Sequence, residues 1–296
     1  MKLTNTLLII SIIAAISSCQ QEQSIIANGA KVEKLAEGFI FTEGPAADKQ
    51  GNVYFTDQPN NQILKWSVEN VLSVFSENSG RANGLFFDKE GYLLSCSDMD
   101  NEIWRIDQSG NHTVLVTDFD SKKLNGPNDL WVNSNGGIYF TDPLYVRDYW
   151  TRDTEMQQGG QYVYYLSPDY KNIITVATDL EQPNGIVGSL DKNKLYIADI
   201  QANKTYVYDI QTDGTLSNKK LFAPLGSDGM TIDKKGNVYL TGDGVTVFNS
   251  KGEQIEHIAI DADWTANVCF GGKDRKTLFI TALQYLYSIE MNVEGY

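Results

Sequence analysis

The chain is short of the residues that many hydrolases and metalloproteins depend on. It has two histidines, His112 and His257, and three cysteines among 296 residues. Neither histidine has a nucleophile in its local context, so both are expected at the surface. So few nitrogen and sulfur donors cannot assemble a His/Cys zinc site. There is no G-x-S-x-G elbow, no G-x-G-x-x-G, no P-loop and no C-x-x-C. Those absences remove the elbow-type serine hydrolases, the dinucleotide fold, the phosphate-cradling loop and the redox dithiol. Basic residues are scarce as well: 24 Lys and Arg face 38 Asp and Glu, for a net charge of −14. A nucleic-acid partner needs the opposite balance. Most of the acidity reads as solubility, with a small part left for binding cations. No segment carries a sustained helical period, so an all-β chain is expected.

The one long apolar run is N-terminal. Lys2 precedes Leu7–Ile16, which is too short to span a bilayer comfortably and suits a signal peptide. Ile16-Ser17-Ser18-Cys19 then resembles a bacterial lipobox, in which Cys19 is lipidated and becomes the new N-terminus; the alternative is an ordinary cleaved signal. Gln20-Gln21-Glu22-Gln23 follows without an Asp beside the cysteine, which favours the outer membrane. The expected organisation is a signal peptide at 1–19, a polar tether at 20–30 and one folded domain at 31–296. The site expected is the cell envelope, with the membrane serving as an anchor and not a substrate. A monomer is expected.

What is abundant is repetition. Six times a polar residue precedes the same strand pattern: Glu43, Asn83, Asn128, Asn184, Asp228 and Asn267, separated by 40, 45, 56, 44 and 39 residues. Repeats of this length built from short strands predict a six-bladed β-propeller with about four strands per blade. The second strand of each repeat mixes β-branched and aromatic residues after a tight turn, as in Val53–Asp57 after Gly51-Asn52 and Ile138–Asp142 after Gly136-Gly137. The sixth repeat is one strand short, and a strand within Lys31–Gly38 is expected to complete it. Cys96 and Cys269 fall in the second and sixth repeats, which are not neighbours in such a ring. They read as buried free thiols and not as a disulfide.

If each polar residue begins the innermost strand of its blade, all six side chains meet on one axis. Glu43 and Asp228 would bring two negative charges, Asn128 and Asn184 neutral oxygens. Hard oxygen donors fit Ca²⁺ best, with Mg²⁺, Mn²⁺ or Zn²⁺ as other candidates. The alternative is that these residues only shape turns before Gly or Pro, which explains single tips more readily than the matched set. The interval before Asn184 holds an insertion, Pro143–Gly160, rich in Tyr145, Tyr149 and Trp150 and carrying Arg147 and Arg152. On the face of the channel mouth it would form a lid or a substrate wall; otherwise it packs its aromatics on a neighbouring blade.

Phe41-Thr42-Glu43-Gly44-Pro45, Lys123–Asp129, Tyr139–Pro143, Gln182–Gly185 and Ser227–Met230 resemble, in order and spacing, the gluconolactonase/regucalcin/luciferin-regenerating family over about residues 31–290. The resemblance implies a six-bladed propeller with one catalytic divalent cation in the central tunnel. It implies Glu43, Asn184 and Asp228 as metal ligands, with Asn128 as a fourth or water-mediated one. The Pro-Asn-Asp form, with Tyr145 after Asp142-Pro143, is closer to bacterial gluconolactonases. Regucalcin-type members carry an arginine two residues before the third-blade Asn; here that place is Gly126, and Arg147 or Arg152 would have to substitute. The implied activity is metal-assisted opening of a lactone or ester. The cation would polarise the carbonyl, Asp228 would act as general base through an oxygen free of metal, and Asn83, Asn128, Tyr145 and Arg147 would contact substrate. Two other readings are a phosphotriesterase-like hydrolase and a non-catalytic propeller binding a ligand or partner at the envelope. Propellers of the strictosidine-synthase or NHL kind do not require the Glu/Asn/Asn/Asp set.

Overall fold

Three of the six blades begin from a turn written into the sequence as Asp-Lys-x-Gly. In the computed structural model, which describes residues 24–296, the Gly51 N–H donates to the Asp48 carbonyl at 3.0 Å. Asp48 Oδ1 accepts from the N–H groups of Gln50 and Asn52, each at 2.9 Å, and Gly51 takes φ +92°. An aspartate that collects the N–H groups just ahead of it, followed by a residue free to enter positive φ, closes a tight turn. The same arrangement recurs at Asp88–Gly91 and Asp233–Gly236.

From these hairpins grow six four-stranded antiparallel sheets. The first is Thr42–Ala47, Val53–Asp57, Gln62–Trp66 and Leu72–Ser76; the second Ala82–Phe87, Leu93–Ser97, Glu102–Ile106 and His112–Val116. The third is Leu130–Val132, Ile138–Asp142, Tyr162–Leu166 and Ile173–Ala177; the fourth Pro183–Ser189, Lys194–Asp199, Lys204–Ile210 and Leu216–Ala223. The fifth is Met230–Ile232, Val238–Gly242, Gly244–Phe248 and Gln254–Ile258. The sixth takes Asn267–Gly271, Thr277–Ala282 and Tyr285–Glu290 from the C-terminal end and its outer strand, Glu33–Glu37, from the N-terminal end. The six-bladed all-β propeller predicted by the repeats is therefore the fold, closed by strands from both ends of the chain. That closure covers what would be an exposed edge.

Second strands such as Val53–Asp57 and Ile138–Asp142 are buried along their whole length. Neighbouring sheets pack face to face, as where Trp131 and Tyr139 of blade three meet Val187 and Tyr196 of blade four. Cys96 and Cys269 are buried free thiols, and both histidines are exposed.

Three features differ from, or add to, the sequence reading. The described part of the expected tether, 24–30, does not hang free: Ile25 is buried in the sixth-blade core and Ile26 bridges Met291. Two consecutive isoleucines have apolar area to bury, and the blade offers a place for it. A two-stranded hairpin, Asp118–Phe119 with Lys122–Lys123, stands between blades two and three. The insertion at 143–160 leaves blade three between its second and third strands, as expected, and packs back against that hairpin. Gln158 Nε2 donates to the carbonyls of Phe119, Lys122 and Lys123. Cys19, the candidate lipidation site, lies outside the described residues.

Candidate active site

The inner strands open with bulges, and the bulges aim the polar tips. In blades one, two and four the pairing of first with second strand shifts between Glu43 and Ala46, Ala82 and Leu85, and Pro183 and Ile186. An extra residue in one strand turns a side chain away from the regular alternation. Here that residue stands next to a glycine. Gly44 adopts φ +44°, and a Cβ on it would lie 2.1 Å from the Asn83 carbonyl oxygen; one on Gly84 would lie 2.6 Å from Asp129 Oδ1. Glycine at these two places lets adjoining inner strands touch backbone to backbone. The Gly84 N–H donates to the Asn128 carbonyl at 2.7 Å, which joins the second blade's tip to the third's.

Around this ring Glu43 is 2 % exposed and Asn184 1 %. Asn184 Nδ2 donates to Asp228 Oδ1 at 2.9 Å and to the Tyr145 hydroxyl at 2.8 Å. Asp228 Oδ2 accepts from Trp264 Nε1 at 2.6 Å. Both oxygens of Asp228 therefore accept a hydrogen bond. The Asn267 side chain lies close enough to Glu43 and Asp129 to favour their charged forms. Hydrogen bonds thus link Asn184, Asp228 and Tyr145 directly, and Glu43 stands close enough to Asp228 for their charges to interact. Asn83 and Asn128 join them through backbone contacts, and Arg147 stands behind Tyr145, its guanidinium 5.0 Å from the ring centre.

Charge in this ring is crowded. Burial holds the Glu43 carboxyl well above the usual carboxylate range, and the charge of Asp228 pushes it further the same way. Burial also raises Asp228, against the hydrogen bonds from Trp264 and Asn184 and the nearby charge of Arg147. Asp129 is pushed up to about 7, chiefly by burial. Meanwhile Asn83 Oδ1 and Asn184 Oδ1 are buried with no donor facing them. A buried acceptor without a donor is uncommon and asks for an explanation. Two mutually repelling carboxylates beside orphaned amide oxygens form a donor set that suits a hard cation. Among the described residues no three His, Cys, Asp or Glu side chains are arranged to hold a metal; the available set mixes amides with carboxylates.

The insertion packs across the tip end of the channel. Trp150 Nε1 donates to Asp98 Oδ2 at 3.0 Å; Arg152 Nη2 lies 3.4 Å from Asp98 Oδ1 and donates to the Asn125 carbonyl at 2.7 Å. A Cβ on Gly126 would lie 2.5 Å from Asp98 Oδ1 and 2.9 Å from Arg152 Nη2. The Arg152 guanidinium thus fills the space beside Gly126, the position for which the resemblance to regucalcin-type members implied an arginine. The sequence reading missed Asp98, Asp129 and Trp264 as parts of the site. Asp129 could have been noticed beside Asn128 in the Pro-Asn-Asp motif. Trp264 sits in an irregular loop between blades and gives no periodic signal.

A cavity of about 940 Å³ opens at the other end of the inner strands, lined by residues such as Asp48, Phe86, Trp131 and Met230, and reaches up to Asp129 and Asn267. Carboxylates line it too, Asp48, Asp88, Glu90 and Asp107 among them, but Glu43, Asn184 and Asp228 do not, and the candidate site is placed at the tip end.

The model of the SMP-30/Gluconolactonase/LRE-like region matches residues 41–284. The gluconolactonase of Zymomonas mobilis is 28 % identical over 294 residues, covering 89 % of this chain and 82 % of that protein. A lactonase of Staphylococcus saprophyticus is 30 % identical over 233 residues, covering 73 % and 68 %. The solved gluconolactonase of Xanthomonas campestris superposes with a TM-score of 0.84 at 28 % identity, covering 90 % of this chain and 91 % of that one.

Proposed function

The chain belongs to the SMP-30/gluconolactonase/LRE-like family, and on that premise we propose that it is a metal-dependent lactone hydrolase working at the tip end of its channel. The observation that carries the reading is the Asn184–Asp228 pair beside Glu43, with the Asn184 Oδ1 buried and facing no donor. The relatives named as a gluconolactonase and a lactonase support it. Glu43, Asn184 and Asp228, with Asn128, are the residues that would hold a divalent cation, and Ca²⁺ suits their oxygens best. Bound there, the cation would supply Lewis-acid polarisation of the ester carbonyl.

The remaining work falls to the chain's own groups. Trp264 and Asn184 fix the Asp228 carboxylate from both sides, which presets its orientation towards an attacking water. Asp228 takes the proton of that water as its oxygen adds to the lactone carbonyl. The ring C–O bond then breaks, and the alkoxide released takes that proton back from Asp228, which gives the open hydroxy acid and restores the carboxylate. Tyr145, donor or acceptor through its hydroxyl, stands one hydrogen bond from Asn184 and is placed to align the substrate. Asn83, with its unpartnered Oδ1, offers an acceptor for a sugar hydroxyl.

The test is a pH-stat assay of a lactone panel on protein stripped with chelator, with Ca²⁺, Mg²⁺, Mn²⁺ or Zn²⁺ restored in turn. Metal-dependent acid release supports the proposal and names the ion. Full turnover without any metal, or none with every metal while one is bound tightly, would overturn it.

A further inference from the structure

Resting on that hydrolase reading, we infer that the preferred substrate carries an anionic group, a carboxylate or a phosphate, at the end remote from the ester, and that Arg147 with Tyr149 receives it. The tip end of the channel has two layers of opposite charge. On the axis lie Glu43, Asp129 and Asp228. Above them the insertion and blade two bring three guanidiniums together: Arg81 lies 4.2 Å from the Tyr149 ring centre, Arg147 5.0 Å from that of Tyr145, and Arg152 3.4 Å from that of Trp150. One carboxylate, Asp98, serves this layer, and it pairs with Arg152. Among the described residues Arg81 and Arg147 have no carboxylate within 4.0 Å. In a chain with 14 more acids than bases, two guanidiniums without a direct carboxylate partner, both near enough to Tyr149 for their charges to act on its hydroxyl, are not expected from composition.

The hydrogen-bond inventory points the same way. Arg147 Nε and the Tyr149 hydroxyl are both buried and unpartnered. The guanidinium N–H can only donate, and the hydroxyl needs an acceptor for its proton. A carboxylate or phosphate is an acceptor-only group that satisfies both and meets a guanidinium with charge-assisted bonds. Strain marks the same corner: Arg81 holds a left-handed φ of +50°, fixed by Asn61 Oδ1, which accepts its backbone N–H at 2.7 Å. Non-glycine residues keep such a conformation where the surroundings impose it, often beside a ligand site.

Polarity then sets orientation. The acidic axis repels an anion and the arginine layer attracts it, so an anionic lactone enters with its charge towards Arg147 and its ester towards Asp228. The spacing suits a small molecule, because the Tyr145 side chain alone reaches from Arg147 to Asn184.

The experiment compares kcat/KM for three lactones of similar size: neutral gluconolactone, a glucaric acid monolactone with a free carboxylate, and 6-phosphogluconolactone. At least a tenfold preference for either charged lactone, shrinking as salt rises and collapsing towards unity in Arg147→Met, supports the inference; Arg147→Lys should keep part of it. Equal rates on all three lactones, or a preference untouched by Arg147→Met, would overturn it. Calorimetric binding of glucarate to wild type and Arg147→Met separates this from the hydrolase reading. Glucarate bound through Arg147 by a protein that opens no lactone would leave the anion site standing and remove the activity. Lactones opened without charge preference and no glucarate bound would do the reverse.

Discussion

The axis and the rim of the tip end are built on opposite principles. The axis is made by six equivalent inner strands, and Asp228 is held there by hydrogen bonds from Asn184 and Trp264. The rim is made by one insertion and one diverted carboxylate. In blades one, three and four the second strand ends in Asp57, Asp142 or Asp199, whose oxygens collect backbone N–H groups of the loop entering the same blade. Blade two has Ser97 at that register, and its aspartate comes one residue later. Asp98 therefore faces elsewhere and binds Trp150, Arg152 and Gln58. A shift of one residue in a strand reverses the direction of a side chain, and here it converts a loop staple into an anchor for the insertion. On the proposed reading this is a division of labour, in which the symmetric part would carry the reaction and the asymmetric part would select what reacts.

Breaking the axis should have the largest effect. Asp228→Asn is expected to lower kcat on every lactone by about 10³-fold, within the range for loss of a positioned base, while circular dichroism stays that of the wild type. Near wild-type turnover would remove Asp228 from the chemistry. Next comes Glu43→Gln, which halves the formal charge of the two carboxylates proposed to face the cation. Calorimetry should show metal affinity weakened by about tenfold or more, a change of about 1.4 kcal/mol at tenfold; unchanged affinity would place Glu43 outside the cation site.

The two regions also differed in how far they could be read in advance. The propeller, the polar tips and the closing strand were legible because they recur at a near-constant period with the same turn residues. Glu43 and Asp228 stood out as the two carboxylates among six tips, whereas Asn184 was singled out from the other asparagines only by the family resemblance. Asp98 and Trp264 were not legible, because their roles depend on tertiary contacts with segments far away in sequence, Trp150 and Asp228. The apolar pair Ile25-Ile26 was concealed by its polar neighbours, and its docking on blade six follows from packing, not from periodicity.

Smaller effects sharpen the rim. Trp150→Phe keeps a ring for Arg152 to stack on but removes the donor to Asp98. The loss of one hydrogen bond to a buried carboxylate is about 1.5 kcal/mol or somewhat more, and a melting temperature lower by about 2–4 °C is expected. No change in melting would mean that the insertion is not anchored through Asp98. A pH dependence is expected of Asp142, the loop staple. Burial pushes it up to about 7, against the lowering influence of the Asn125 and Gly126 N–H groups. The folded state then binds more protons than the unfolded chain between about pH 4 and 7, so this group's contribution to stability falls as pH rises through that window. Asp142→Asn removes that dependence. Its stability deficit against wild type should be larger at pH 4.5 than at pH 7.5 in paired thermal melts; a deficit growing with pH would reverse the assignment.

The most direct measurement sets Asp228→Asn and Arg147→Met side by side on neutral and anionic lactones. The account predicts that Asp228→Asn lowers both substrates by the same large factor and leaves their ratio as in wild type, whereas Arg147→Met collapses the ratio. If both variants shift rate and ratio alike, axis and rim do not divide chemistry from selection.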